Sequence, residues 1–171
     1  MMFTGIIETV GTVNSLKSSN SGLEIGIESD LFAGNVAVDD SLAVNGICLT
    51  VVKLLPKGFV VDAVAETLAR STISGWYSGS TKVNLERGMP ANGRFDGHIV
   101  QGHVDGTAEL LAVIKRGNSK ELTFRTDPAL LELMVEKGSV AIDGMSLTIA
   151  KMKEDQFTIA VIPYTLENTT F

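Results

Sequence analysis

The chain has 171 residues, of which 44% are apolar, and it contains a single cysteine. This length and apolar content allow one large or two small folded domains, so a disordered chain is excluded. Twenty acidic residues against fourteen basic ones give a net charge of −6, which argues against nucleic acid as a partner. One cysteine excludes an internal disulfide. The N-terminal residues lack a basic region and a long apolar run, so we predict a cytoplasmic protein with no membrane segment.

Short runs rich in Val, Ile and Thr, separated by glycines, predict a mainly β fold. The chain also repeats itself: VNGICLTVV at 44–52 returns as IDGMSLTIA at 142–150, and FVVDAVAETLARSTI at 59–73 returns as FTIAVIPYTLENTTF at 157–171. In both pairs the matching residues are 98 positions apart. Near the N terminus, FTGIIETVG matches QGHVDGTAE, so that Gly5 corresponds to Gly102. We therefore predict two tandem β-barrels, at residues 1–96 and 97–171.

Each copy is expected to contain short helices between its strands. In the second copy, Asp127 is predicted to cap a helix that begins at Pro128 and ends before Gly138. The corresponding helix of the first copy is predicted in SDLFAGN at 29–35. Further helical turns are expected to start at the two equivalent threonines Thr67 and Thr165, because a hydroxyl can accept a free amide at a helix start.

The second copy has no counterpart of the last strand of the first. The first copy continues into a strand at 82–86, whereas a matching strand in the second copy would lie beyond Phe171. We therefore expect a second barrel that lacks its closing strand and has an open edge, as in a truncated chain.

The repeated strands at 47–51 and 145–149 each carry a small polar pair on one face. Alternation directs Cys48 and Thr50 to one side of the first strand, and Ser146 and Thr148 to the same side of the second. Ordinary solvent-exposed strand residues would give the same pattern. Because a free cysteine is usually buried, Cys48 indicates a face that is covered by a ligand or a partner.

The two histidines, His98 and His103, lie in GHIVQGHVDGT at 97–107. If this stretch is a strand, they point to opposite faces, which disfavours a shared metal site with Asp96 or Asp105. His103 is a candidate general acid or base, since imidazole titrates near neutrality. A solvated turn histidine is equally compatible with the sequence.

Two other charged residues have ordinary explanations. Asp143 beside Gly144 is typical of a turn, and Lys137 is typical of a helix C terminus. The sequence contains no phosphate-binding loop, dinucleotide fingerprint or nucleophile elbow.

Five segments together resemble the riboflavin synthase family, whose members contain two lumazine-binding domains. They are MFTGIIE at 2–8, VNGICLT at 44–50, GHIVQGHVDG at 97–106, IDGMSLT at 142–148 and IPYTLENTT at 162–170. The resemblance covers essentially the whole chain. It implies two six-stranded Greek-key barrels, a cytoplasmic homotrimer assembled through a C-terminal helix, and lumazine synthase as a possible partner.

The activity implied by the resemblance is that of a transferase. Two molecules of 6,7-dimethyl-8-ribityllumazine react, and one gives a four-carbon unit to the other, which yields riboflavin and 5-amino-6-ribitylamino-pyrimidinedione. The reaction needs no cofactor and no metal. A non-catalytic antenna protein of the same fold, which binds lumazine or flavin, is the alternative.

The resemblance also implies two substrate pockets. The first is expected to consist of Gly5, Ile6, Ile7, Cys48, Leu49, Thr50, Asp62, Ala63, Val64, Ala65, Glu66 and Thr67. The second is expected to consist of Gly102, His103, Val104, Lys137, Ser146, Leu147, Thr148, Ala160, Val161, Ile162, Pro163, Tyr164 and Thr165.

Roles in the reaction are expected for a subset of these residues and their neighbours. His103 is the predicted proton carrier, assisted by Ser146 and Thr148, and either Cys48 or Ser41 is expected near the acceptor. The resemblance places Asp143 and Lys137 near the chemistry and folds Phe3 over a pocket.

Overall fold

The structure is a computed structural model that describes residues 1–19 and 22–171. The first half contains six strands, a helix and a 3-10 turn: β1 Thr9–Ser19, β2 Gly22–Glu28, β3 Ser41–Val44, β4 Ile47–Leu55, β5 Gly58–Val64, α1 Ala65–Arg70, the 3-10 turn Ile73–Gly75, and β6 Lys82–Arg87. The second half contains β7 Ala108–Arg116, β8 Ser119–Thr126, α2 Pro128–Leu131, β9 Ser139–Ile142, β10 Met145–Met152, β11 Gln156–Val161 and α3 Pro163–Asn168. The predicted mainly β fold is confirmed.

The first half is a closed antiparallel barrel in which the strand order is β1-β2-β5-β4-β3-β6. Its core is formed by the inward face of each strand, as the alternation on β4 illustrates. Leu49 is 4% exposed and Val51 is fully buried, whereas Thr50 between them is exposed. On β6, Val83 and Leu85 are fully buried in the same core. Closure leaves no free sheet edge in this barrel.

The second half repeats this order, with one strand fewer among the described residues. Its sheet is β7-β8-β11-β10-β9, so β7 and β9 are edge strands. Leu110 on β7 is 49% exposed, whereas Val13 at the equivalent place on β1 is fully buried. The predicted open edge is therefore confirmed. The domain limits 1–96 and 97–171 stay a prediction.

The predicted helices are present in part. Asp127 caps α2 and accepts a hydrogen bond from the amide of Ala129 at 2.8 Å, but the helix ends at Leu131 instead of continuing toward Gly138. The helix predicted at 29–35 is wrong, because this stretch forms turns. There Phe32 is fully buried and stacks on Phe59, with ring centroids 6.2 Å apart.

The helices α1 and α3 form where helical turns were expected, but capping by the threonines is not the reason. Both α1 and α3 begin two residues before the threonines, and their N-cap residues, Val64 and Ile162, make no side-chain capping bond. Thr67 and Thr165 therefore lie inside the helices and do not cap them. Pro163 suits the first position of α3 because its φ angle is already helical.

The two halves meet at their equivalent hairpin turns. Asn45 and Asp143 have φ angles of 47° and 45°, and the glycine that follows each also has a positive φ, as expected for two-residue turns of the Asn-Gly and Asp-Gly kind. A Cβ atom on Gly46 would lie 2.7 Å from the amide nitrogen of Gly144, and the reverse distance is also 2.7 Å. The turns are therefore in direct contact across an approximate twofold axis.

Asn84 on β6 joins the same two turns. It is fully buried, and its backbone amide donates to Oδ1 of Asn45 at 2.7 Å. Its side-chain Nδ2 donates to the backbone oxygen of Asp143 at 2.9 Å, and its Oδ1 accepts from the amide of Thr170 at 2.9 Å. One side chain of the first barrel thus holds two segments of the second half.

Candidate functional site

Two segments cross from one half of the molecule to the other. The amide of Phe3 donates to the oxygen of Val100 at 2.8 Å, and the reverse bond is 3.1 Å long. Beyond this bridge, the oxygen of Gly5 accepts from the amide of Ser146 at 2.7 Å, and the oxygen of Gly102 accepts from the amide of Cys48 at 2.8 Å. The N-terminal segment therefore contacts the second half, and the segment around Gly102 contacts the first.

Glycine is required at both crossing points. Gly5 and Gly102 have φ angles of 77° and 82°, which favour glycine. A Cβ atom on Gly5 would lie 2.7 Å from the Cβ of Ser146, and one on Gly102 would lie 2.6 Å from the Cβ of Cys48. No side chain fits between the crossing segments and the strands that they contact.

This arrangement corrects the predicted composition of the two pockets. Gly5 was grouped with Cys48, and Gly102 and Val104 with Ser146, but the structure exchanges these partners. Val104 packs against the core of the first barrel. The repeat reveals which positions of the two copies are equivalent. It cannot show whether a crossing segment contacts its own half or the other half.

The first polar face lies on the outside of the closed barrel. Thr50 on β4 pairs with Ser41 on one side and with Asp62 on the other. Cys48 is half-buried, and Val64 at the end of β5 is 53% exposed. These side chains form one continuous outer patch, as the alternation predicted.

The helix that follows β5 borders the first face. Ala65 and Glu66 are exposed and Thr67 is half-buried, and the Glu66 carboxylate pairs with Arg70 one turn further on. Two predicted pocket residues point elsewhere: the side chains of Leu49 and Ala63 are 4% and 1% exposed and lie in the barrel core.

The second polar face repeats the first on β10. Thr148 is exposed and pairs with Ser139, while Ser146 is half-buried and pairs with Ala141. At the end of β11 and the start of α3, Ala160, Ile162, Pro163 and Tyr164 are exposed and Thr165 is half-buried. Leu147 and Val161, which were predicted in this pocket, pack in the core of the second half.

Lys137 lies in a turn and not at a helix end. Its φ angle is 69°, and its backbone amide donates to the oxygen of Ile149 at 2.8 Å. Asp39 has the same place in the first half, with a φ angle of 74° and an amide bond to Val51. The helix-dipole explanation of Lys137 is therefore wrong, because α2 ends at Leu131.

Ser146 has a histidine partner, and that partner is His98. The Nδ1 atom of His98 lies 2.6 Å from Oγ of Ser146. Partial burial lowers the pKa of His98 below its ordinary value, so the imidazole is neutral at pH 7. The backbone brings the pair together, since the amide of His98 donates to the oxygen of Thr4 at 3.0 Å.

His103, the predicted proton carrier, lies elsewhere. It is exposed and directly follows Gly102, on the side of Cys48. The prediction that His98 and His103 point to opposite faces requires a strand through 97–107, with alternating side chains. In this stretch only Val100 makes a β-bridge, so that alternation does not apply.

Two further predicted residues, Asp143 and Phe3, are affected by burial. Asp143 forms the predicted turn, and burial raises the pKa of its carboxyl group. Phe3 is fully buried against Ala43, Val100 and Cys48. The ring therefore packs between the halves beside Cys48, and its role as a lid over a pocket stays a prediction.

Glu86 on β6 is a buried residue that no motif in the sequence marks as functional. It is only 4% exposed, and its carboxylate accepts three hydrogen bonds from Thr4 and Gly5. Burial raises the pKa of this carboxyl group, and the hydrogen bonds from Thr4 and Gly5 act in the opposite direction. In the sequence it looked like any outward residue of a closing strand.

A cleft of about 570 Å³ lies between the halves. Its walls include the turn at Asn45, the residues from His98 to Ala108, and the core rings Phe124 and Phe157. The cleft lies beside the edge strands, since Ala108 on β7 and Ser139–Ile142 on β9 line it. It also shares His98, Gly102 and His103 with the segment that borders the two polar faces.

The described residues contain no group of three or more His, Cys, Asp or Glu side chains that could hold a metal ion. Within the same residues, no helix is long and apolar enough to span a bilayer.

The geometry defines a tandem β-barrel protein with two equivalent polar faces, and the comparisons agree with it. The model of the lumazine-binding domain family matches residues 4–88 and 101–171. The chain therefore belongs to this family.

Its curated relatives include riboflavin synthases. The enzyme of Bacillus subtilis is 45% identical over 170 residues, which are 99% of this chain and 79% of that protein. The enzyme of Actinobacillus pleuropneumoniae is 40% identical and covers 98% of this chain and 78% of that protein. The predicted resemblance to riboflavin synthases is confirmed.

Solved structures with the same fold include LumP in complex with 6,7-dimethyl-8-(1'-D-ribityl) lumazine and with riboflavin. The first has a TM-score of 0.87 at 21% identity and covers 99% of this chain and 91% of LumP. The second has a TM-score of 0.88 at 24% identity, with 98% and 90% covered. These structures share the tandem-barrel fold.

Proposed function

We propose that the chain acts as a riboflavin synthase, which converts two molecules of 6,7-dimethyl-8-ribityllumazine into riboflavin and 5-amino-6-ribitylamino-pyrimidinedione. The observation that carries the proposal is the repeated polar face, Cys48 with Thr50 in one half and Ser146 with Thr148 in the other. A reaction between two copies of one substrate needs two similar sites. The identity of 40–45% to riboflavin synthases across nearly the whole chain supports the same reaction.

Proximity and orientation would supply much of the catalysis, because both reactants are held by the protein at once. Each face offers side-chain hydroxyl groups to the edge of a polar ring, from Thr50 and Ser41 on the first and from Ser146 and Thr148 on the second. Among the residues that the structure describes, neither face has a cluster of basic side chains, which suits a substrate without phosphate.

The pair of His98 and Ser146 would activate a nucleophile. Neutral His98 can accept the hydroxyl proton at Nδ1, across 2.6 Å, while Oγ of Ser146 adds to the acceptor ring. When the adduct breaks down, the same proton returns to the serine oxygen. His103 keeps its predicted part as the carrier of the substrate methyl proton, on the Cys48 side.

We propose further that the working site combines the Cys48 face of one chain with the Ser146 face of another. Within one chain, Cys48 bonds to the crossing segment that contains Gly102. That segment pairs with the N-terminal segment at Phe3, and the N-terminal segment bonds to Ser146 through Gly5. Two backbone segments thus lie between the faces, so two rings could not stack within one chain. The homotrimer, the lumazine synthase partner and the cytoplasmic location are carried over from the resemblance.

A steady-state assay with 6,7-dimethyl-8-ribityllumazine tests the proposal through riboflavin absorbance, with ligand fluorescence anisotropy recorded in parallel. Ser146→Ala and His98→Gln should each lower turnover by about 100-fold while binding persists. Leu54→Ala, on an exposed part of β4, serves as a control. Binding without any turnover in the unmodified chain would favour the antenna alternative.

A further inference from the structure

We infer that Glu86, a residue of the closed first barrel, positions the Ser146 site of the other half. It does so by holding the N-terminal segment that crosses to that site. The consequence for turnover rests on the function proposed above, whereas the positional coupling can be measured without it.

The first step is the contact between Glu86 and the crossing segment. The Oε1 atom accepts from the amide of Thr4 at 2.6 Å and from its hydroxyl at 2.8 Å, and Oε2 accepts from the amide of Gly5 at 3.0 Å. All three partners are donors, so only a group with acceptors on both arms satisfies them. Thr4 and Glu86 are 8% and 4% exposed, so water cannot readily replace a lost bond.

The second step links this segment to the candidate nucleophile. The oxygen of Gly5 accepts from the amide of Ser146, and the oxygen of Thr4 accepts from the amide of His98. Both members of the His98–Ser146 pair are therefore bonded to the two residues that Glu86 holds. A shift of this segment would change the 2.6 Å contact between Nδ1 and Oγ.

The repeat provides an internal reference. Cys48 has the same place as Ser146, but its amide bonds to Gly102, on the other crossing segment. The three hydrogen bonds of Glu86 go to Thr4 and Gly5. A specific positioning role must therefore affect Ser146 and leave Cys48 nearly unchanged.

Glu86→Gln is the sharpest test, because it keeps the shape and turns one arm into a donor. If the glutamine oxygen faces Thr4, the new NH2 group meets the amide N–H of Gly5, which is also a donor. If the side-chain amide is flipped, the NH2 group meets the two donors of Thr4 instead. Glu28→Gln is the matched control: Glu28 lies on the same barrel, and its nearest cation, Lys57, is 3.9 Å away.

Amide hydrogen exchange, followed by NMR in the full chain, gives the primary readout. In Glu86→Gln we expect the exchange rate of the Ser146 amide to rise at least about tenfold relative to that of Cys48. The imidazole resonances of His98 should shift in the same variant. We expect kcat to fall while Glu28→Gln keeps the exchange pattern and kcat of the unmodified chain.

Two outcomes would overturn the inference: equal acceleration at Ser146 and Cys48, which indicates a general loss of stability, or no acceleration at either. Thr4→Val removes a single donor at nearly constant shape, and it decides the question if Glu86→Gln fails to fold. It should accelerate Ser146 exchange selectively by roughly threefold to tenfold. If the unmodified chain shows no turnover, the proposed function fails, but the exchange ratio still tests the coupling.

Discussion

Replacing Asn84 with alanine should loosen the second half from the first barrel. The change removes two side-chain hydrogen bonds, to the oxygen of Asp143 and from the amide of Thr170, each 2.9 Å long. Each bond contributes about 1 kcal/mol net, and a buried group left without its partner costs about 1–3 kcal/mol. We therefore expect a loss of roughly 2–4 kcal/mol. This is a large fraction of the 5–15 kcal/mol that is typical of folded proteins.

Urea unfolding followed with two probes checks this prediction. Trp76 is the single tryptophan, and it is buried in the first barrel, so its fluorescence reports on that barrel alone. Far-UV circular dichroism reports on both halves. A loss of this size lowers the midpoint by roughly 1–2 M urea for an m-value near 2 kcal/mol/M. The circular dichroism midpoint should fall by more than the fluorescence midpoint.

Asn35→Ala is the matched control, because the Asn35 side chain is exposed and its hydrogen bond goes to a local backbone oxygen, at Leu31. It should change either midpoint by less than about 0.3 M, as expected for a surface change within 0.5 kcal/mol. Unchanged midpoints in Asn84→Ala would refute the reasoning. Where the unmodified chain shows separate transitions for the two signals, an equal fall in both would show that Asn84 stabilises the first barrel and does not join the halves.

The remaining predictions concern the contact of the turns and two titrating groups. Gly46→Ala should destabilise the chain by about 2 kcal/mol or more, through a strained positive φ and a clash with Gly144. Gly34→Ala has a similar φ and open space around its Cβ, so it should lower the thermal midpoint by less. Because burial lowers the pKa of His98, the unfolded chain binds its proton more readily, and stability should rise with pH in the range just below 6.5. His98→Gln should flatten this rise between pH 5.5 and 7.5, and an unchanged slope would contradict the assignment. Burial raises the pKa of Asp143, which means that the charged form is unfavourable in the folded state. Asp143→Asn should therefore increase the urea midpoint at pH 7 and not at pH 3.5.

Much of the fold could be predicted because the relevant information is local. The alternation of apolar and polar residues in VNGICLTVV determines which side chains of β4 face the core, and the same pattern 98 positions later determines those of β10. The strand at 82–86 was predicted from the same kind of pattern, and the structure places it as β6, closing the first barrel. The open edge of the second half followed from the lack of a matching strand.

The parts that sequence analysis missed depend on contacts between distant segments. Glu86 differs from other polar strand residues because Thr4 and Gly5, 82 and 81 positions away, donate hydrogen bonds to its carboxylate. The helix predicted at 29–35 failed for a related reason, since the burial of Phe32 against Phe59 fixes a turn there. Local propensity says nothing about either contact.

The exchange of crossing segments explains why two equivalent faces differ in their chemistry. Equivalent positions are occupied by Cys48 and Ser146 on the strands, and by Ile6 and His103 after the crossing glycines. Since each crossing segment reaches the opposite half, His103 lies near Cys48, whereas Ser146 has Ile6 nearby and His98 as its partner. Each face therefore has a thiol or hydroxyl from its own strand and an imidazole from the segment at 97–104. If the two faces hold two copies of one substrate, this difference in partners lets one copy act as the donor and the other as the acceptor.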